Sequence, residues 1–395
     1  MACHSAPSFR QVMVNGKKRS LHVDHKTLAS SSHSGISCLG CHLDFRGQKL
    51  PHKDKAEPVQ CVRCHHNGNN VGAPDATHVE LYADSVHGSA LRAGDPDAPA
   101  CKTCHGTHGI RHIYDIKSSV YRTNIPTTCG KCHFDPGFAK RHKIANVEKY
   151  RDSVHARMDT QLSGVETAAV CTDCHGIHDI RSQHQHNCRF RTPGTCGKCH
   201  SYVLKQYEES IHGKAAARGV KSAPVCTDCH GEHLIDKPSS PDSLVYPGHI
   251  ATTCSKCHEN AKIQRRFDLP ANRLSSYISS YHGVANKYRD ITGANCATCH
   301  GAHNVLPSKD QRSMVNKKNL PKTCGKCHPG AGKNFADGSV HLSPTPKHDP
   351  AVFWVRKFYF LFVTGLIGSF CGYIALDLRA RWIGRLPWRR GDHRR

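Results

Sequence analysis

The octapeptide CTDCHGIH at residues 171–178 places two cysteines three positions apart, a histidine directly after the second, and another histidine three positions on. Its first five residues recur, because C-x-x-C-H occurs ten times in the 395-residue chain and takes up 20 of its 23 cysteines. The cysteine pairs are Cys38 and Cys41, Cys61 and Cys64, Cys101 and Cys104, Cys129 and Cys132, and Cys171 and Cys174. They continue with Cys196 and Cys199, Cys226 and Cys229, Cys254 and Cys257, Cys296 and Cys299, and Cys324 and Cys327. The histidines that close the motifs are His42, His65, His105, His133, His175, His200, His230, His258, His300 and His328.

In this motif two thiols can add to the vinyl groups of one haem, and the histidine that follows reaches the iron from one face. The ten closing histidines are therefore the expected proximal ligands of ten covalently attached haems c. Zinc ribbons also use paired cysteines, but zinc does not require a histidine after every second one. Disulfides in exported chains leave that histidine unexplained as well. Composition agrees with haem. Only 37% of residues are apolar, so a conventional core would be thin, and the macrocycles would supply the missing buried apolar surface. The expected fold is mainly α with extensive coil, built of short helices around packed haems. Lys and Arg number 55 against 31 Asp and Glu, a net +24, which alone would suggest an anionic partner. Ten haems with ionised propionates remove about 10 charges when ferric and about 20 when reduced. The basic residues mostly answer propionates. No basic stripe interleaved with aromatics is present, so no nucleic-acid partner is expected.

The motifs fall into a repeat of roughly 55 to 70 residues. One unit reads as a tyrosine-bearing helix ending in S-x-H, a CxxCHGxH, and a second CxxCH. Copies begin at YADSVHG (82–88), YRDSVHA (150–156), YEESIHG (207–213) and YISSYHG (277–283), and a first unit precedes them with SSHSGISCLGCH (31–42) and LPH (50–52). About five two-haem repeats result. The expected segments are an N-terminal haem unit at 1–80, repeats at 81–149, 150–206, 207–276 and 277–350, a membrane helix at 351–378 and a basic tail at 379–395. Apolar residues at spacings of three and four, such as Val147, Tyr150 and Val154, or Val203, Tyr207 and Ile211, predict short amphipathic helices.

Three residues of chain span at most about 10 Å, and a path from one face of a tethered macrocycle to the other must go round its rim. His178 therefore cannot serve the haem held by Cys171 and Cys174, and a neighbouring iron is its expected partner. Distal candidates from the S-x-H positions are His33, His87, His155, His212, His282 and His341; those from CHGxH and LPH are His52, His108, His178, His233 and His303. Eleven candidates face ten motifs. MACHSAP at residues 1–7 offers an explanation, since Cys3 and His4 read as the end of an eleventh CxxCH whose first cysteine would precede Met1. An export signal is expected upstream for the same reason, because haem attachment of this kind takes place outside the cytoplasmic membrane. Cys188 and Cys371 fit no motif and are read as free thiols.

The apolar run from Phe358 to Leu376 is about long enough to cross a bilayer. Arg379, Arg381, Arg385, Arg389, Arg390, Arg394 and Arg395 follow it, which predicts a cytoplasmic tail and an extracytoplasmic haem region. Gly368 and Gly372 form a GxxxG within the span, a spacing that permits close approach of a partner helix.

The repeated S-x-H, CxxCHGxH and CxxCH elements with a carboxyl-terminal helix resemble the membrane-anchored multihaem c-type cytochromes of bacterial anaerobic respiration, from Cys3 to the tail. LPH in the first unit and SVHA at 153–156 depart from the pattern. The resemblance implies electron transfer between a membrane quinol-oxidising subunit, such as a b-type cytochrome or an iron–sulfur protein, and periplasmic carriers or reductases. It places the chain in the inner membrane as a single-pass protein and as an electron carrier, not an enzyme. Methionine is scarce, with four in the chain, so bis-histidine ligation and low potentials are expected. The alternative is a multihaem reductase of a small nitrogen or sulfur oxyanion, which would need one iron with an open distal position.

Overall fold

Why the S-x-H segments adopt their shape follows from one hydroxyl. In the stretch YEESIHG, helix Ser201–Glu209 stops, Ser210 turns to an extended backbone, and a second helix runs from Ile211 to Ala217. Ser210 is buried; its Oγ–H donates to the Tyr207 carbonyl (2.6 Å) and its Oγ accepts from the Gly213 N–H (3.0 Å). That is an N-cap, which satisfies an orphan donor of the new helix. Ser85 does the same with Tyr82 and Gly88 (2.7 and 3.1 Å), and Ser280 with Tyr277 and Gly283 (2.7 and 3.2 Å). The tyrosine-bearing helix was expected to end in S-x-H. Instead it ends before the serine, and the histidine sits in the first turn of the next helix.

Glycine follows the histidine for a steric reason. A Cβ on Gly88, Gly213 or Gly283 would lie 2.1, 2.0 or 2.0 Å from the carbonyl oxygen of Tyr82, Tyr207 or Tyr277. Where Ala156 replaces it, its N–H reaches Ser153 at a longer 3.4 Å, and the preceding segment Val147–Asp152 is a 3-10 turn rather than an α-helix.

The computed structural model describes residues 4–12, 16, 18–49, 52, 56–74, 77–144, 146–161, 168–182, 188–337, 341, 345–347 and 349–384. Cys3, Leu50 and Pro51 of LPH, and the tail arginines from Arg385 onward lie outside these residues. The chain forms two compact units, one of Met1–Thr253 with His300–Ser313 and one of Cys254–Cys299 with Met314–Arg395. Short helices joined by coil make up the first, as composition led one to expect. It also holds a small antiparallel ribbon that the periodicity did not announce, Arg10–Val12 paired with Lys18–Ser20 in the register Arg10 to Ser20.

Successive repeats of the first unit are tied by one recurring backbone bond. The residue before each S-x-H histidine donates to a carbonyl two residues beyond a CHGxH histidine: Ser32 to Ile110 (2.7 Å), Val86 to Ile180 (2.9 Å), Val154 to Ile235 (2.7 Å) and Ile211 to Val305 (2.9 Å). Each repeat thus engages the next one along. Side-chain packing is thin by comparison. Apart from Leu306 and Tyr277 the buried apolar residues are alanine and valine, and the main cluster is Ala216, Ala223 and Val225 with Phe190, Tyr207, Ala215 and Val220 against it.

The second unit contains helices Ala261–Phe267, Arg273–Ile278, Tyr281–Lys287 and Leu320–Gly325, and the 35-residue helix Pro350–Gly384. The long helix is apolar enough to cross a membrane. At 1.5 Å per residue it measures about 52 Å, well beyond an apolar core of about 30 Å. It continues past residue 378, where the span was expected to stop, through Arg379 and Arg381, with Arg381 Nε 2.9 Å from Asp377 one turn back.

Gly213→Ala forces a methyl onto a backbone oxygen and is expected to cost about 1–3 kcal/mol, lowering the thermal midpoint by several degrees. Gly194→Ala is the control, because a Cβ there meets nothing within 4 Å. Equal midpoints for the two variants would contradict the steric account.

Candidate haem sites

The CxxCH motif is a single helical turn in most repeats. In Cys101–His105, Cys171–His175, Cys226–His230 and Cys296–His300, positions i, i+3 and i+4 share one face, so both sulfurs and the imidazole point the same way. The third motif residue braces the turn. Asp173 and Asp228 accept from the backbone N–H of Val170 (2.7 Å) and Val225 (2.6 Å), and Thr103 and Thr298 do so from Ala100 (3.1 Å) and Asn295 (3.2 Å). Glycine then turns the chain away: Gly106, Gly176, Gly231 and Gly301 all have φ of 84–86°, a left-handed conformation that glycine adopts without a Cβ penalty. Arg122 and Arg189 each donate twice to one aspartate, Asp173 and Asp228, and once to the Ala168 or Ala223 carbonyl. These partly exposed pairs orient the motif more than they stabilise it.

Each closing histidine that can be followed faces a histidine from elsewhere in the chain. His105 lies opposite His178 (ring centres 6.1 Å apart, planes at 6°), His175 opposite His233 (6.0 Å, 17°) and His230 opposite His303 (6.0 Å, 12°). His133 lies opposite His87 (6.1 Å, 49°), His200 opposite His155 (6.4 Å, 44°) and His328 opposite His282 (6.1 Å, 46°). In the first unit of the repeat, His42 faces His108 (6.3 Å, 37°) and His65 faces His33 (6.1 Å, 76°).

That spacing fits an iron between two imidazoles. A metal–imidazole bond is about 2.0 Å, and in a ring of ~1.33 Å bonds a vertex lies about 1.1 Å from the centre, so opposed ring centres belong about 6.2 Å apart. His78 sits closer on His178, at 4.8 Å. His178 thus meets His105 of the preceding repeat, as the rim argument demanded, and not His175. His78 is a neighbour that no motif marks. For His212, His258, His300 and His341 the ligand assignment rests on the sequence. Ser276 Oγ–H donates to the Arg273 carbonyl (3.0 Å), so it accepts from His341 Nδ1–H (3.0 Å); this leaves Nε2 as that ring's lone-pair nitrogen.

Burial lowers the pKa of His87, His105, His133, His155, His175, His178, His230, His233 and His303. The charged form is disfavoured away from water, and neutral imidazole is the form that binds a metal. The sulfurs are arranged in series. Cys61 hydrogen-bonds with Cys101, Cys129 with Cys171, Cys196 with Cys226, and Cys254 with Cys296. Between these contacts Cys41 lies in electrostatic reach of Cys61 and Cys64, Cys104 of Cys129 and Cys132, Cys174 of Cys196 and Cys199, and Cys299 of Cys324 and Cys327. Within each unit, then, every such motif touches the next one in the chain.

A tyrosine fixes each S-x-H segment to the following motif. Tyr82, Tyr150, Tyr207 and Tyr277 donate their hydroxyls to the carbonyls of Pro99 (2.5 Å), Ala169 (2.9 Å), Pro224 (2.8 Å) and Ala294 (3.1 Å), each two residues before the first cysteine. Burial pushes Tyr207 and Tyr277 up to about 12 from 10.0. Because the folded pKa is raised, the stabilisation is fully present below about pH 10 and is lost as pH rises through about 12. Phenolate absorbance should therefore show a component titrating late, which Tyr207→Phe and Tyr277→Phe remove; an unchanged titration would rule out the buried phenols.

No family model matches the chain, and no solved structure matches it. Among curated proteins it is similar to the high-molecular-weight cytochrome c of Nitratidesulfovibrio vulgaris, with 23% identity over 308 residues that cover 75% of this chain and 50% of that protein. The chain spans about half the length of this relative. Over three quarters of its residues, the chain with opposed histidines and serial cysteine pairs is thus similar to a cytochrome c.

Proposed function

We propose that this chain is a multihaem c-type cytochrome, built from about five two-haem repeats, that carries electrons between a membrane quinol-oxidising subunit and redox partners outside the cytoplasm. The observation that carries the reading is the set of eight opposed histidine pairs, each joining a CxxCH histidine to a histidine from another motif. Haem iron supplies reversible one-electron chemistry at potentials tuned by its ligands and surroundings. The protein's part is to attach, clamp and align. The cysteines of each motif become thioethers. The two imidazoles of each pair would hold one haem iron between them, which favours a carrier over the oxyanion reductase.

The serial contacts between motifs favour conduction in chain order, from Cys38 towards Cys226 in the first unit and from Cys254 to Cys324 in the second. The helix Pro350–Gly384 is the proposed anchor. Arg379 and Arg381 at its far end, with the arginines that follow in sequence, favour a cytoplasmic tail and haems on the outer side. Among the described residues the span contains no histidine, so quinol oxidation falls to a partner, such as a b-type cytochrome or iron–sulfur protein.

Haem counting by pyridine haemochrome and intact mass should give at least ten macrocycles per chain, and a protein with stoichiometric zinc and no haem would defeat the proposal. His233→Met should leave the count unchanged and raise the potential of one centre, as methionine ligation does. Cyanide binding by the resting oxidised protein would instead favour the reductase.

Ring orientation makes a further prediction. Parallel imidazoles donate into the same iron orbital and split the d levels strongly, whereas crossed imidazoles leave them nearly degenerate. The oxidised protein should show rhombic low-spin EPR signals from the sites at 6–17° and one large-g signal from His33 and His65, crossed at 76°. His33→Met should abolish the large-g signal alone; a spectrum with one class of centre would contradict the geometry.

A further inference from the structure

We propose that His4 and His52 hold an eleventh haem, joined to the chain through Cys3. The inference rests on the haem reading above and adds a site at Cys3 and His4, the last two residues of a CxxCH pattern. The rings of His4 and His52 are 6.1 Å apart and nearly parallel at 6°, the spacing of the eight pairs just described and the orientation of His105 with His178. That separation is the one an iron between two imidazoles requires.

The residues around the pair are built for the purpose. The ribbon Arg10–Val12 with Lys18–Ser20 brings the chain back on itself, so that Val23 N–H donates to the His4 carbonyl (2.8 Å) and Leu21 N–H to the Phe9 carbonyl (3.0 Å). In this setting His4 Nδ1–H donates to the Leu21 carbonyl (2.8 Å), which fixes the tautomer and leaves Nε2 with its lone pair. A backbone carbonyl in that position is the usual support of a metal-binding histidine. His52 has its Nδ1 buried with no hydrogen-bond partner among the described residues, as has His42 of the neighbouring pair. Phe9 stands edge-on to His4 at 5.1 Å and Phe45 lies over His52 at 4.2 Å, so the walls are apolar.

Phe45 also borders His42 at 6.3 Å, and His4 lies in electrostatic reach of His108. The new site therefore adjoins the His42–His108 pair and extends the series by one place beyond the Cys38 motif. Cys3 directly precedes His4 in the sequence, as the second cysteine precedes the histidine in every CxxCH. Attachment needs no oxidant: the Cys3 thiol adds across a haem vinyl group, the Sγ–C bond forms, the S–H bond breaks, and its hydrogen ends on the other vinyl carbon.

The test is made on the full-length protein purified from its own membranes. Intact mass and haemochrome should count eleven haems, and a tryptic digest should give a haem-bearing peptide that contains Cys3 and His4 and ends at Arg10. Ten haems, all on CxxCH peptides, would overturn the inference and leave the proposed function standing; a protein without haem would remove both. His52→Met keeps side-chain bulk and should move one of the eleven low-spin centres to histidine–methionine ligation at a higher potential with the count unchanged. A spectrum and set of potentials identical to the parent would dismiss His52 as the ligand.

Discussion

Imidazoles remote in the chain meet in opposed pairs, four between neighbouring repeats and four within one, and the rest of the architecture is arranged around them. A CxxCH turn commits one histidine to one face of a tethered macrocycle, and the ring that closes the other face must come from a remote segment. His178 answers to His105, His233 to His175 and His303 to His230, so each CHGxH reaches back by one repeat. A metal held in this way would cross-link the chain and turn cofactor affinity into folding free energy, a contribution of weight in a chain whose buried residues are mostly alanine, valine and serine.

The supporting contacts are polar and short-ranged, and they recur in register. A buried serine caps the helix that carries the distal histidine, a tyrosine ties that segment to the backbone before the next motif, and a backbone bond joins it to the loop beyond the CHGxH. None of these is strong by itself; a hydrogen bond nets about 1 kcal/mol. Their value is positional, because an imidazole must be held to within a fraction of an ångström to serve an iron. Repetition lets one solution be used several times, and the glycine of S-x-H-G shows how narrow it is.

Two orientations of ring pair emerge from the two kinds of connection. In the later repeats CHGxH histidines approach the first motif of the preceding repeat with planes at 6–17° and S-x-H histidines approach the second motif of their own repeat at 44–49°, while the corresponding pairs of the first repeat stand at 37° and 76°. A left-handed glycine and a loop deliver the first kind, and the first turn of a helix delivers the second. Ring orientation is thereby set by backbone geometry.

Covalent chemistry and local propensity were legible in the sequence. The ten thiol pairs with their histidines, the repeat, the candidate distal rings, the thin core and the apolar C-terminal run all follow from residue type and spacing, because thioether attachment and helix formation act over a few positions. Periodicity alone misread the S-x-H segments: Val203, Tyr207 and Ile211 look like one helical stripe, but the buried hydroxyl of Ser210 splits it into two helices. It also passed over the ribbon around Gly16, whose strands are three residues each and too short to alternate visibly. Which histidine faces which, and at what angle, belonged to the tertiary structure, since rings far apart in the chain become partners only when the segments that carry them fold together. The pairing of His4 with His52 is the clearest instance, for no spacing in the sequence links the two and only the folded chain brings them together.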